Sequence, residues 1–254
     1  MRDDIPVGVY AIVADFGQAR SANTATILPN DTGHVERYGR TILLRENTIR
    51  NPTLFAAQER VWRAATEARH ATEIGVEGHF QRTLWHEIGH YLGPARDSQG
   101  RPLPEVLGDH AGALEELKAD LVSEFLLRRM RHPALREIEA SGIRRTLLLV
   151  QPRSDQPYET MQLIQFNWFI AQGLLRPDVR TARLTIDYGR YEAAVESLLT
   201  EVLRLQSAGD KVAVAAFFDQ WTAWNENVHG RLATRLREAR GPHYRMLRYG
   251  ALGD

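Results

Sequence analysis

The chain contains the stretch His79-Phe80-Gln81-Arg82-Thr83-Leu84-Trp85-His86-Glu87-Ile88-Gly89-His90-Tyr91-Leu92-Gly93-Pro94. Phe80, Leu84, Ile88 and Leu92 fall four apart, the spacing of one helical face, and predict a helix over 79–92 with those four as its buried stripe. His86 and His90 are also four apart, so both imidazoles leave the same side of the helix about one turn from each other. Two nitrogens so placed can reach one Zn²⁺ at ~2.0–2.1 Å. Glu87 follows the first histidine and points to the flank, where it can reach a water without ligating the metal. This is the His-Glu-x-x-His arrangement with its usual division of labour. Taken alone, the pentapeptide also fits a helix with two histidines at its surface or core edge.

A second segment bears on that choice. Ala113-Leu114-Glu115-Glu116-Leu117-Lys118-Ala119-Asp120-Leu121-Val122-Ser123-Glu124-Phe125 reads as another amphipathic helix, with Leu114, Leu117, Leu121 and Phe125 as its buried stripe. Glu116 and Asp120 are four apart on one face. Read alone they are a solvated acidic face. Read one loop after the histidine pair, Glu116 supplies a third protein ligand and Asp120 accepts the outer ring N–H of a ligand histidine. Two His and one Glu leave the fourth position of a zinc ion open, as a catalytic site requires. The geometry demands that the two helices run back against each other.

Outward from these helices the chain is mainly α, with a small β element near its N-terminus. The apolar, β-branched run 7–14 and the segment 40–45 read as strands, and Pro29-Asn30-Asp31-Thr32-Gly33 as a turn. Further helices are expected at about 52–70, 110–131, 133–150, 157–174, 187–207, 210–225 and 227–240. The stretch 93–109 carries Gly93-Pro94, Gly100, Pro102 and Pro104 and cannot be one helix; 151–157, with two prolines, separates two more. Trp168, Trp221 and Trp224 are expected to anchor the core. One metallohydrolase domain over 1–254 is expected, β-containing in 1–50 and helical in 51–254.

Composition sets the outer bounds. The chain has 254 residues, 43% hydrophobic and 25% charged, the make-up of an ordinary globular protein. Its 32 basic and 32 acidic residues cancel, which gives no reason to expect nucleic acid or an anionic membrane as partner. Cysteine is absent, so disulfides, thiolate metal sites and cysteine nucleophiles are excluded and any metal must sit on nitrogen and oxygen. The N-terminal apolar stretch is too short to span a bilayer and has no cleavage signature, and no run approaches about 18 apolar residues. The expectation is a soluble, cytoplasmic protein.

The pairing of His86-Glu87-Ile88-Gly89-His90-Tyr91-Leu92-Gly93-Pro94 with Leu114-Glu115-Glu116-Leu117-Lys118-Ala119-Asp120 resembles the dipeptidyl peptidase III family of metallopeptidases, and looks closest to its bacterial members, including those fused to Nudix-type domains. Ile27-Leu28-Pro29-Asn30-Asp31 and Met161-Gln162-Leu163-Ile164-Gln165-Phe166-Asn167-Trp168 look like further stretches of those proteins. More remotely, His-x-x-x-His with Glu-x-x-x-Asp is similar to the thermolysin-type gluzincins. The family's second motif is Glu-Glu-x-x-Ala-Glu/Asp, whose second Glu is the ligand and maps onto Glu116. The resemblance implies one zinc ion and a peptide or small amide substrate. The chain departs from the family in length, matching the catalytic lobe with at most a remnant of the other. It also lacks a His within Tyr158-Glu159-Thr160-Met161-Gln162, the region where the family places one that stabilises the transition state.

The implied chemistry is metal-assisted hydrolysis with Glu87 as general base. A further donor must meet the developing oxyanion. Tyr91, His110, Tyr158 and His229 are the candidates, each with an ordinary packing or surface role as the competing reading. His34, His70, His79, His132 and His243 carry no spacing signal. Two other functions fit the same residues: hydrolysis of a non-peptide small molecule, and a metal-binding interaction protein without turnover.

Overall fold

The computed structural model describes residues 5–11, 24–28, 39–153 and 155–241. The turn expected at 29–33 and the end of the first strand beyond residue 11 lie outside them. Three short strands form the N-terminal sheet: β1 (Val7–Tyr10), β2 (Ala25–Leu28) and β3 (Thr41–Arg45). β3 is central, parallel to β1 with Val7 opposite Ile42, and antiparallel to β2 with Ala25 opposite Leu44. Its side chains alternate as the pleat requires. Ile42 and Leu44 are fully buried.

Helices follow in order: α1 (Glu46–Ile49), α2 (Pro52–Ala65), α3 (Val76–Gly89), α4 (Leu103–Leu107), α5 (Ala111–Arg129), α6 (Leu135–Arg145), α7 (Pro157–Ala171), α8 (Tyr191–Ala208), α9 (Lys211–Trp221) and α10 (Arg231–Arg240). The mainly α reading holds. Several ends are shorter than the periodicity suggested, because turns rather than further helix close them. α2 starts where Asn51 Oδ1 accepts from the backbone N–H of Thr53 and Leu54 at 3.0 and 3.1 Å, with Pro52 in the first turn, where no N–H is needed. The same tolerance seats Pro104 in the first turn of α4, inside the stretch expected to be loop. A hairpin, β4 (Leu175–Asp178) with β5 (Arg183–Ile186), falls between two expected helices and was not anticipated.

α5 is the axis of the molecule, packed by α3, α6, α7 and α8. Leu114, Leu117 and Leu121 are fully buried as expected, but so are Lys118, Asp120, Ser123 and Glu124 on its other faces. The stripe predicted for α3 is corrected in kind. Phe80, Leu84 and Ile88 are only partly buried, packed on Ile42, Leu44 and Ile49 of the sheet side, and Leu92 is 37% exposed. The deeply buried face of α3 is Gly78, His79, Arg82, Thr83, His86 and Gly89, turned toward α5 and α6. Trp62 is the fully buried tryptophan, its indole N–H donating to the His70 carbonyl at 2.6 Å. Trp168 and Trp221 are half-buried and pack against the core as expected, whereas Trp224, also half-buried, stacks on His229. Among the described residues no helix is long and apolar enough to cross a membrane.

Candidate metal centre

Two glycines let α3 approach its neighbours. A Cβ on Gly89 would stand 2.4 Å from the Ala119 carbonyl oxygen, and one on Gly78 would stand 2.4 Å from the backbone of Glu137. Both distances are shorter than any real Cβ contact, so α3 meets α5 and α6 backbone to backbone at these points. Lys118, buried, then closes the end of α3, donating to the Gly89 and Leu92 carbonyls at 2.8 and 2.5 Å and pairing with Glu115 at 2.7 Å.

The two helices run antiparallel and join by a ladder of polar rungs, each four residues further up one helix and down the other. Arg82 meets Glu124 at 2.9 Å, the His86 Nδ1 meets Asp120 at 2.7 Å, and the His90 Nε2 meets Glu116 at 3.6 Å. The last two rungs lie where the spacing of His86, His90, Glu116 and Asp120 puts them; the first was not expected. Arg82 and Glu124 continue the same four-residue spacing, which was the available signal. Asp120 is fully buried and held by His86, by Arg82 at 3.2 Å and by Arg145 at 3.1 Å. Burial opposes its charge, but Arg145 and Arg82 hold the carboxyl far below the usual range.

At the open end of the ladder His86, His90 and Glu116 converge. The two Nε2 atoms are 3.3 Å apart, and Glu116 Oε2 lies 3.1 Å from one and 3.6 Å from the other. Ligands on one tetrahedral ion at ~2.0–2.1 Å stand about 3.3 Å from each other, so the triangle fits a zinc-sized cation. The outer nitrogens are occupied: His86 Nδ1 by Asp120 and His90 Nδ1 by Glu115 at 3.2 Å. With Nδ1–H donated to these carboxylates, each neutral imidazole would present its Nε2 lone pair to the centre. Glu115, to which the sequence gave no role, is therefore the partner of His90. Beyond its approach to the two imidazoles, Glu116 Oε2 is buried and accepts no hydrogen bond among the described residues. Burial alone would lower the His86 imidazole pKa, yet Asp120 and Glu116 outweigh it and raise it.

The site opens into a cleft of about 1420 Å³, lined by the triad, Glu87, Tyr91 and Tyr158 among others. Glu87 is half-buried, and burial pushes its carboxyl above the ordinary value despite the histidines beside it. The Tyr158 hydroxyl hydrogen-bonds Glu116; burial first, then that carboxylate, pushes it up to about 12, so it stays a donor. The Tyr91 hydroxyl is buried without a hydrogen-bond partner among the described residues. The structure places the other two candidates elsewhere. His110 is tilted against the Phe218 ring, centroids 4.4 Å apart, and is not part of the cleft lining, because the short turn before α5 rotates it toward α9. His229 stacks on Trp224 and bonds Asn167 at 2.8 Å, a packing role outside the cleft.

Comparison with solved structures gives close three-dimensional matches. The structure of dipeptidyl peptidase III from Caldithrix abyssi superposes with a TM-score of 0.83 at 22% identity, covering 92% of this chain and 47% of that one. Dipeptidyl-peptidase III from Corallococcus sp. strain EGB gives 0.81 at 20% identity, covering 96% and 47%. The chain has the dipeptidyl peptidase III fold. It spans about half the length of those proteins. Among curated proteins it is similar to Nudix hydrolase 3 of Arabidopsis thaliana, 23% identical over 248 residues, which is 91% of this chain and 31% of that protein. No family model matches. The likeness to dipeptidyl peptidase III suggested by the two motifs is thus matched by the fold that carries them.

Proposed function

We propose that the chain is a zinc-dependent hydrolase of peptide or amide bonds, with His86, His90 and Glu116 as metal ligands and Glu87 as general base. The observation that carries this reading is the triangle of two lone-pair nitrogens and a buried, unpartnered carboxylate oxygen, with edges of 3.1, 3.3 and 3.6 Å. The likeness to dipeptidyl peptidase III supports the peptide or amide part of it.

When bound, zinc supplies a Lewis acid that makes water a nucleophile near neutral pH and polarises a carbonyl. The residues of the chain do the rest. Asp120 and Glu115 hold the two imidazoles by their outer nitrogens, which fixes the rings and raises their basicity. Glu87, its affinity for a proton raised by burial, takes the proton of the attacking water and hands it to the leaving amine. Tyr158, protonated at neutral pH, is the donor for the developing oxyanion. His110 has no part in it.

The test pairs elemental analysis with turnover. The purified protein takes up one zinc per chain, Glu116→Gln loses most of it, and Glu87→Gln keeps it while hydrolysis of short peptides falls by roughly 10²-fold or more. Equal zinc uptake by wild type and Glu116→Gln refutes the site. Unchanged turnover in Glu87→Gln refutes the mechanism.

A further inference from the structure

Most charge in the cleft is matched. Lys118 pairs with Glu115 at 2.7 Å and Arg145 with Asp120 at 3.1 Å. The two positive charges of a divalent ion would be met by Glu87 and Glu116. Two guanidinium groups are left. Arg40, leading into β3, and Arg144, in the last turn of α6, line the same cleft as the triad. Neither has an ion pair among the described residues, and the Nε of each is buried with no hydrogen-bond partner.

Arg144 stands out most. Burial first, then the neighbouring Arg145 and Arg82, pushes its guanidinium down to about 10. The same cations, after burial, help push His79 down to about 3. Arg82 and Arg145 have their carboxylates; Arg144 has none. A solvated surface arginine would leave its Nε in water. This one withdraws it and stays unpaired, a costly arrangement unless an anion completes it. A guanidinium presents a planar fork of donors that matches a carboxylate.

We infer that the cleft selects substrates carrying a carboxylate, gripped by Arg144 with Arg40 as the second cation. This rests on the reading of the substrate as a peptide or amide, and names the feature that the cleft recognises in it. Two sources share that chemistry: the free C-terminus of a short peptide, and an Asp or Glu side chain within one.

Calorimetry separates them on the zinc-loaded Glu87→Gln protein, whose slowed turnover leaves the probes intact over a titration. The probes are tetra-alanine with a free C-terminus, tetra-alanine amide, and the amides of Ala-Ala-Glu-Ala and Ala-Ala-Gln-Ala. At least one charged probe binds roughly ten- to a hundredfold tighter than its neutral counterpart. Adding Arg144→Gln removes most of that preference, and Arg144→Lys restores part of it. Thermal unfolding of both variants verifies that each is folded. Equal binding of charged and neutral probes overturns the proposal, as does a preference that survives in the Arg40→Gln/Arg144→Gln double variant. Turnover by the wild-type protein is read separately. Peptide cleavage without a charge preference sinks this inference and leaves the hydrolase reading standing. An arginine-dependent preference without cleavage does the reverse.

Discussion

His79 sits seven residues before His86, buried on α3 with its Nε2 3.5 Å from Gln58 of α2. Burial first, then Arg144, Arg145 and Arg82, pushes its imidazole from 6.5 down to about 3. The folded protein keeps it neutral while the unfolded chain protonates it. Between pH 6.5 and about 3 the unfolded state therefore binds more protons, so the stability is complete above that window and drains as pH falls through it. Thermal unfolding from about pH 7.5 to about pH 4.5 should show a shallower loss for His79→Gln than for wild type. Parallel curves would show that His79 is not the group responsible. At this scale the convergence of His86, His90 and Glu116 was legible from spacing, since four-residue steps fix which side chains share a face. The charge environment was not. Nothing in the run His79–His90 tells that Arg82 is buried beneath the histidines with two carboxylates around it, because that depends on what α5 brings opposite.

Between elements the decisive feature is how closely α3 and α5 pack. Gly89→Ala puts a methyl group 2.4 Å from the Ala119 carbonyl oxygen, a backbone atom that cannot swing aside. The helices must part, at a cost on the order of 1–3 kcal/mol, and the imidazoles move away from Glu116. Zinc uptake and thermal unfolding should fall together. Gly112→Ala is the control, because its methyl meets nothing nearer than Pro157 at 3.9 Å. It should stabilise by about 0.4–1 kcal/mol through the unfolded chain. The same sign for both substitutions would refute the close-approach argument. The antiparallel crossing of these helices was expected from the sequence, but its tightness was not, since a glycine in a helical pattern does not announce what backbone will lie against it. The β4–β5 hairpin escaped for a related reason: Leu175–Asp178 and Arg183–Ile186 are four residues each, too short for a period to show, and they gain their identity by pairing.

For the molecule as a whole, His86, His90 and Glu116 come from segments separated by α4 and its flanking loops, so an ion bound among them would tie together distant parts of the chain. Zinc at a hundredfold excess over its Kd should add about 2.7 kcal/mol to the folded state, roughly 5–10 °C in Tm for a chain of this size. Chelation should reverse the gain, and zinc should restore it, in wild type but not in Glu116→Gln. A Tm indifferent to chelator would mean that the triad binds no ion tightly. The sequence by itself determined the mainly helical class, the position of the two motif helices and the identity of the converging residues, because helical periodicity is a local property that one segment states on its own. Only the tertiary structure decided that the middle of α5, from Leu117 to Glu124, is buried all round, that the apolar stripe of α3 faces the small sheet while its polar face goes inward, that His110 turns away from the cleft and that Arg40 and Arg144 share its wall without an ion pair among the described residues. Burial and pairing are relations between distant segments, and no single segment carries them.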